Sequence, residues 1–363
     1  MKSKEEILRE IISNIDSVDK NVMEKAKERM NSLAKPLNSL GKLEEMSIRL
    51  SGITKSVKNT LDKRAIIIMC SDNGVVEEGV SSCPQSVTLS QTINFTKGLT
   101  GVAVLAKANN TDLKVIDIGI NCEFSHPLII NKKIRMSTNN IVRENAMTYE
   151  EAIEGILVGI EAVEKTKDDG YKILGVGEMG IGNTTTSSCV LSSLTNLKVE
   201  EVVGRGAGLL DEAYNKKIRV VKKAIELNKP KKDDPIDIIA KVGGFDIAGM
   251  IGVFLGAAYY KIPVVIDGLI SVVAALLAFK LNSKVRDYMF TSHESKEIGF
   301  KVAMKEMNLE PILNLNMGLG EGSGCPLAFS IMDSACAIMN NMATFEEAEI
   351  NDNYLDELRK INN

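Results

Sequence analysis

Between residues 65 and 341 the sequence alternates short β-branched apolar runs with longer helical stretches, an order that few folds accept. Six runs read as strands: 65–70, 113–118, 171–176, 262–267, 288–291 and 311–315. Apolar residues recur at helical spacing over 87–109, 149–165, 184–194, 215–227, 247–260, 269–279, 294–307 and 326–341. Strands this short and apolar are buried on both faces, so helices must cover both. The expected architecture is α/β, a doubly wound, mostly parallel six-stranded sheet. In such sheets ligands lie beyond the carboxyl ends of the strands.

The unusual residues follow those strand ends. After the third run come Gly175, Gly177, Gly180 and Gly182, then Asn183, Thr184 and Thr185, a sequence suited to starting a helix. A strand, a glycine-rich loop and a helix N-terminus together present free N–H groups to an anion. Glu178 stands inside that loop, where an acid implies chemistry beside a phosphate. The sixth run leads into Met317-Gly-Leu-Gly-Glu-Gly-Ser-Gly324, with Glu321 at its centre. Loops at 71–76, at Asp267-Gly268 and at 292–295 join these two on one rim of the sheet.

Other residues read more plainly. Asp246 reads as a cap for the helix after it, and Gly249, Gly252 and Gly256 as sites of close helix packing. His293 is open between a structural and a catalytic part, and the sixteen methionines read as core filler. Before the first strand, helices are expected over 5–15, 18–33 and 40–53, broken at Lys35–Gly41 with Ser39 as a cap, and without any strand signal.

Composition narrows the function. Net charge is −4, so no basic field awaits nucleic acid, and any phosphate must be held by local donors. The N-terminus lacks the apolar stretch of a signal peptide, and 247–260 is too short to span a bilayer. Six cysteines without Cys-x-x-Cys spacing read as reduced thiols, which points to the cytoplasm. With two histidines and no Cys/His cluster, no bound transition metal is expected.

Residues 175–180 also fit G-x-G-x-x-G, with Glu200 and Glu201 about twenty residues on, which keeps an NAD-dependent oxidoreductase open. Against it, Glu178 would face a pyrophosphate, and the strand does not open the fold. A non-catalytic nucleotide-binding module is a third reading. No P-loop occurs, and Asp267 alone stands where enzymes using phosphoribosyl pyrophosphate carry a pair of acids.

Taken together, 33–41, 72–79, 101–106, 175–185, 241–246, 266–268 and 319–324 resemble the nicotinate-nucleotide:dimethylbenzimidazole phosphoribosyltransferase family, in order and over nearly the whole chain. The resemblance implies a Rossmann-like catalytic domain of 61–341 and a small helical domain from the chain ends, 1–60 with 342–363. It implies a homodimer that needs no cofactor. The implied reaction moves phosphoribose from nicotinate mononucleotide to a benzimidazole.

By the same resemblance Glu321 is the general base and Glu178 an auxiliary acid. Burial is expected to raise the pKa of Glu321, and two neighbouring carboxylates should titrate apart. The phosphate is expected on Gly180, Gly182, Asn183 and Thr184, helped by Gly206, Lys217 and Ser295. The incoming base is expected near Cys83, Gln91, Met317, Leu319 and Gly320. Three positions depart from the family: Asn73 stands where many members have His, Gly318 where some have Arg, and Cys83 where some have Ser. They border the slot for the base, so bases other than dimethylbenzimidazole are expected to be accepted.

Overall fold

The computed structural model describes residues 2–206 and 208–353. Its sheet has strands β1 (Arg64–Ser71), β2 (Asp112–Gly119), β3 (Ile129–Asn131), β4 (Ile173–Met179), β5 (Val264–Ile266) and β6 (Met289–Thr291). They lie side by side in the order β3-β2-β1-β4-β5-β6, and every neighbouring pair is parallel. The chain winds outward from β1 in one direction and from β4 in the other. The gap between β1 and β4 is therefore the topological switch point, where a doubly wound sheet opens its binding crevice.

One expected strand is replaced. Residues 311–315 form no strand; they touch the end of β6 through a single bridge, Leu313 with His293. The Ile312 and Leu313 N–H groups both go to the Ser292 carbonyl, and the chain turns away at Asn316, whose φ is +54°, so no ladder develops. The sixth strand is β3, a three-residue edge.

Another expectation fails with consequence for the site. The single helix expected over 87–109 is two, Val87–Thr96 and Gly101–Ala108. Gly98, at φ +74°, ends the first. Thr100 caps the second by accepting from the Ala103 N–H at 3.2 Å. The break creates a new helix N-terminus beneath the rim.

The core is built as the pattern required. From Ala65 onward β1 is buried, and the helix Phe245–Tyr260 packs on β1, β2 and β4. The expected close packing there is present: a side chain at Gly252 would strike the Ile156 carbonyl of helix Tyr149–Asp168. Among the described residues no helix is long and apolar enough to cross a membrane.

The chain divides into two compact units, residues up to Asp16 with Lys63–Ala328, and Ser17–Asp62 with the chain from Phe329 onward. The first helix, Lys4–Ser13, belongs to the larger unit, where it packs on helices Tyr149–Asp168 and Phe245–Tyr260. In the smaller unit, Ala26, Met30, Leu33 and Met339 form a core. Its helix Lys42–Thr54 starts behind Gly41 without a side-chain cap, so Ser39 does not cap it. Residues 354–363, expected in the small helical domain, lie outside the described residues.

Candidate active site

β4 runs three residues further than expected, to Met179, so Gly175, Gly177 and Glu178 are strand residues rather than loop residues. Their glycines serve packing. A Cβ at Gly175 would come within 2.6 Å of the Cys325 Cβ, and one at Gly177 would strike the Glu321 carbonyl. A dinucleotide fingerprint needs those glycines in the turn itself. The oxidoreductase reading loses its motif on this point.

The loop proper is Gly180–Gly182, and helix Asn183–Thr195 follows behind an N-cap Gly182 at φ +94°. The Ile181 N–H is held by Thr88 Oγ1 at 3.2 Å. The Gly182 and Thr184 N–H groups have no acceptor among the described residues. Beside them Lys217 Nζ donates to Thr184 Oγ1 at 2.9 Å and to the Gly204 carbonyl at 3.1 Å. Lys217 lies on helix Asp211–Asn228 with Lys216, Arg219, Lys222 and Lys223, and it alone of these is fully buried; burial pulls its pKa down to about 8. Gly206 sits against the same pair, its built Cβ falling 3.1 Å from Thr184 Oγ1 and 3.6 Å from Lys217 Nζ. Ser295 Oγ accepts from the Glu297 N–H at 3.3 Å, and the Glu297 carboxylate packs against Gly204. Free amides at a helix start, a hydroxyl and a buried ammonium together make a cradle for an anion.

Glu178 lies at the edge of this cradle. Its Oε2 accepts from Asn183 Nδ2 at 2.5 Å, and its Oε1 from the Glu321 N–H at 3.2 Å. Burial raises its pKa, and the charge of Glu321 adds to that; the two donors pull the other way. Asn183 Nδ2 also donates to Asp246 Oδ2 at 3.0 Å, so one amide bridges two buried acids. Asp246 does not cap its helix, whose N-cap is Gly244; burial pushes its pKa up to about 7.

Glu321 is buried and sits in the left-handed region at φ +66°, a conformation costing a side-chain-bearing residue about 1–2 kcal/mol. Gln91 Nε2 donates to its Oε1 at 2.8 Å, and the Val102 N–H to its Oε2 at 3.2 Å. Val102 belongs to the first turn of helix Gly101–Ala108, so the carboxylate lies on a positive helix end. Two donors leave lone pairs on both oxygens. Gly320 gives Glu178 its room, since a Cβ there would strike Oε1.

Of the residues expected around the incoming base, Gln91 and Gly320 reach the two acids, and Leu319 packs over Gly101 with half its surface exposed. The Met317 carbonyl accepts from the Lys296 N–H at 3.2 Å. Cys83 makes local contacts, to Ser81 and Ser82, and none of these reaches either acid. Asn183 as a bridge, Asp246 as a buried acid and Val102 as a donor were not anticipated. Asn73, expected at the border of the base slot, is fully buried beside Gly180 with both ends of its amide unpartnered among the described residues. An acid written Gly-Phe-Asp before an apolar helix looks like a cap, and backbone donors carry no letter code at all.

A family model described as phosphoribosyltransferase matches residues 15–350, which gives the class. A Clostridium perfringens protein named nicotinate-nucleotide-dimethylbenzimidazole phosphoribosyltransferase is 58% identical over 353 residues, 97% of this chain and 98% of that protein. One of the same name from Clostridium acetobutylicum is 54% identical, over 94% of this chain and 97% of that protein. The crystal structure of the enzyme so named from Thermus thermophilus superposes with a TM-score of 0.86 at 36% identity, covering 92% of this chain and 99% of that one. The chain belongs to the nicotinate-nucleotide-dimethylbenzimidazole phosphoribosyltransferase family.

Proposed function

We propose that the protein transfers phosphoribose from nicotinate mononucleotide to 5,6-dimethylbenzimidazole, giving α-ribazole 5′-phosphate and nicotinate, in the nucleotide-loop branch of cobalamin synthesis. The observation that carries this reading is one continuous line of contacts. It runs from Gln91 through the Glu321 carboxylate and the Glu321 N–H to Glu178, then to Asn183, whose neighbour Thr184 meets Lys217. An acid pair thus stands at one end and an anion cradle at the other.

In this reading the phosphate lies on the Gly182 and Thr184 N–H groups, Gly180, Gly206, Ser295 and Lys217, while Asn183, whose donors meet the Gly180 carbonyl, Glu178 and Asp246, holds the loop in place. C1′ then carries a pyridinium ring that departs as nicotinate, the ring becoming neutral as it takes the electron pair of the breaking C–N bond. One nitrogen of the incoming base bonds to C1′ from the opposite face, with inversion. Its other nitrogen gives up a proton to Glu321, help typically worth ~10²–10⁴-fold. Glu178 orients this arrangement through the Glu321 N–H. Cys83, Gln91, Met317, Leu319 and Gly320 border the incoming ring.

The protein is proposed to act in the cytoplasm as a homodimer, which sedimentation velocity tests. The activity itself is tested by incubating it with nicotinate mononucleotide, dimethylbenzimidazole and a chelator. Ribazole phosphate and nicotinate should appear in equal amounts, and their absence would sink the reading.

A further inference from the structure

The loop that carries Glu321 is held by an acid to which nothing above gives a part. Asp267 directly follows β5 and is buried. Its Oδ2 accepts from the Gly322 N–H at 3.0 Å and its Oδ1 from the Gly324 N–H at 2.7 Å. With the Glu321 N–H on Glu178, three loop amides are tied to two carboxylates at the ends of neighbouring strands. Closely spaced loop amides of this kind ordinarily suit an external anion. Here the protein's own acids fill that place.

That filling has geometric consequences. Glu321 and Gly322 both stand at positive φ, +66° and +92°, so the turn needs an outside anchor to stay where its side chain meets Gln91 and Val102. Asp267 supplies the anchor on the C-terminal side of Glu321, as Glu178 does on its own N–H. The neighbouring groups leave it in place. His293 Nδ1 lies 3.7 Å from Asp267 Oδ1, beyond a hydrogen bond, and Ser292 Oγ meets His293 Nδ1 at 3.2 Å. Gly324 is bare where a side chain would strike the His293 ring.

We infer that Asp267 is a positioning residue for the general base: it sets the turn at 321–324 so that the Glu321 carboxylate faces the proton of the incoming base. The inference rests on the proposed part of Glu321. It differs from a folding role in a measurable way, because a residue that acts only through Glu321 has nothing left to do once that carboxylate is gone.

The test is a double-mutant cycle on the full chain with Asp267→Asn and Glu321→Gln, reading kcat and KM with nicotinate mononucleotide and dimethylbenzimidazole. The amide of Asn accepts at one oxygen but sets an N–H against the other loop amide. Asp267→Asn should lower kcat by ~10²-fold, the scale of a base misplaced by about 1 Å, with KM for the nucleotide unchanged. The double variant should be no slower than Glu321→Gln alone. Asp267→Glu, which keeps the carboxyl group and lengthens the anchor, serves as the second variant and should bind nucleotide normally while turning over slowly. Equal losses from Asp267→Asn with and without Glu321 would overturn the inference, as would a loss confined to KM. Collapse of both Asp267 variants into protein that no longer binds nucleotide would overturn it in favour of a folding role. A Glu321→Gln chain with full turnover overturns the general-base reading and this inference with it. A Glu321→Gln chain without turnover, beside an unimpaired Asp267→Asn chain, overturns this inference alone.

Discussion

Two glycine-rich segments meet at this site, and they use the same backbone chemistry in opposite ways. In 180–184 the Gly182 and Thr184 amides are left open, with Lys217 and Thr184 Oγ1 beside them. In 320–324 the amides of Glu321, Gly322 and Gly324 are already taken by Glu178 and Asp267. The first is an open anion cradle; the second is a cradle closed by the protein's own acids and used to hold up a carboxylate. Glycine content alone therefore does not locate a phosphate. What separates the two is whether buried acids at the neighbouring strand ends reach the loop.

Under the proposed reaction binding falls to the first segment and proton transfer to the second, and the strongest way to break that division is to cut each separately. Glu321→Gln removes the proton acceptor while keeping the side chain's size, and its single amide oxygen can keep one of the two bonds from Gln91 and Val102. Turnover should fall by ~10²–10⁴-fold. Calorimetric affinity for nicotinate mononucleotide should stay near that of the unaltered protein. A variant that loses nucleotide affinity instead would place the phosphate, not the base, on the second segment.

The converse cut is Lys217→Met. Charge-assisted hydrogen bonds contribute about 1.5–3 kcal/mol each, so the dissociation constant for the nucleotide should rise ~10–100-fold with kcat at saturation little changed. Lys217 also gives the cradle a pH signature. Burial brings its pKa down to about 8, so in the free protein the ammonium is lost as pH rises through that value. Nucleotide affinity should therefore weaken above about pH 8 in the unaltered protein, and the Met variant should lack that step. The same step remaining in Lys217→Met would assign it to another group.

How far this was readable beforehand differs between the segments. Lys217, on a basic helix, was placed by the family resemblance, whereas Glu178, Asn183 and Thr184 could be placed because a strand, a turn and a helix start have local signatures. The sheet class followed from the alternation of runs for the same reason. Other features depend on partners distant in the chain. Gly175 and Gly177 looked like loop glycines, but the side chain of Cys325 and the carbonyl of Glu321 require them bare inside β4. The edge strand Ile129–Asn131 is too short to announce itself, whereas 311–315 had the right letters and makes one bridge before the chain turns away at Asn316. The helix break at Gly98 lay in plain view; its use, which is to aim Val102 N–H at Glu321, depended on a residue more than two hundred positions away.

A smaller effect sharpens the contact between the segments. Gly320→Ala introduces a methyl into the space of Glu178 Oε1. The carboxylate must shift, which loosens its hold on the Glu321 N–H. Overpacking of this kind costs about 1–3 kcal/mol, and turnover should drop by roughly tenfold through misplacement while the cradle still binds nucleotide. Unchanged turnover would mean that Glu178 does not help to place Glu321.

The smallest expected effect is on stability, and it concerns the acid that shares Asn183 with Glu178. Asp246 has a pKa raised by burial to about 7, against 3.8 for the exposed group. As pH rises from about 3.8 the unfolded chain gives up this proton first, while the folded chain keeps it until about pH 7. The unfolded state then binds fewer protons, so this group makes the fold less stable with rising pH across that window and adds no slope above it. Asp246→Asn removes the titration and can still accept from Asn183 through its amide oxygen. Urea midpoints measured from about pH 4 to 7 should decline less steeply in the variant than in the protein that keeps Asp246. Glu178 shares Asn183 with Asp246 and its charge raises the Asp246 pKa, so the comparison is made in a Glu178→Gln background; there an unaltered slope would mean that Asp246 is ionised throughout, paired with Asn183 as an anion.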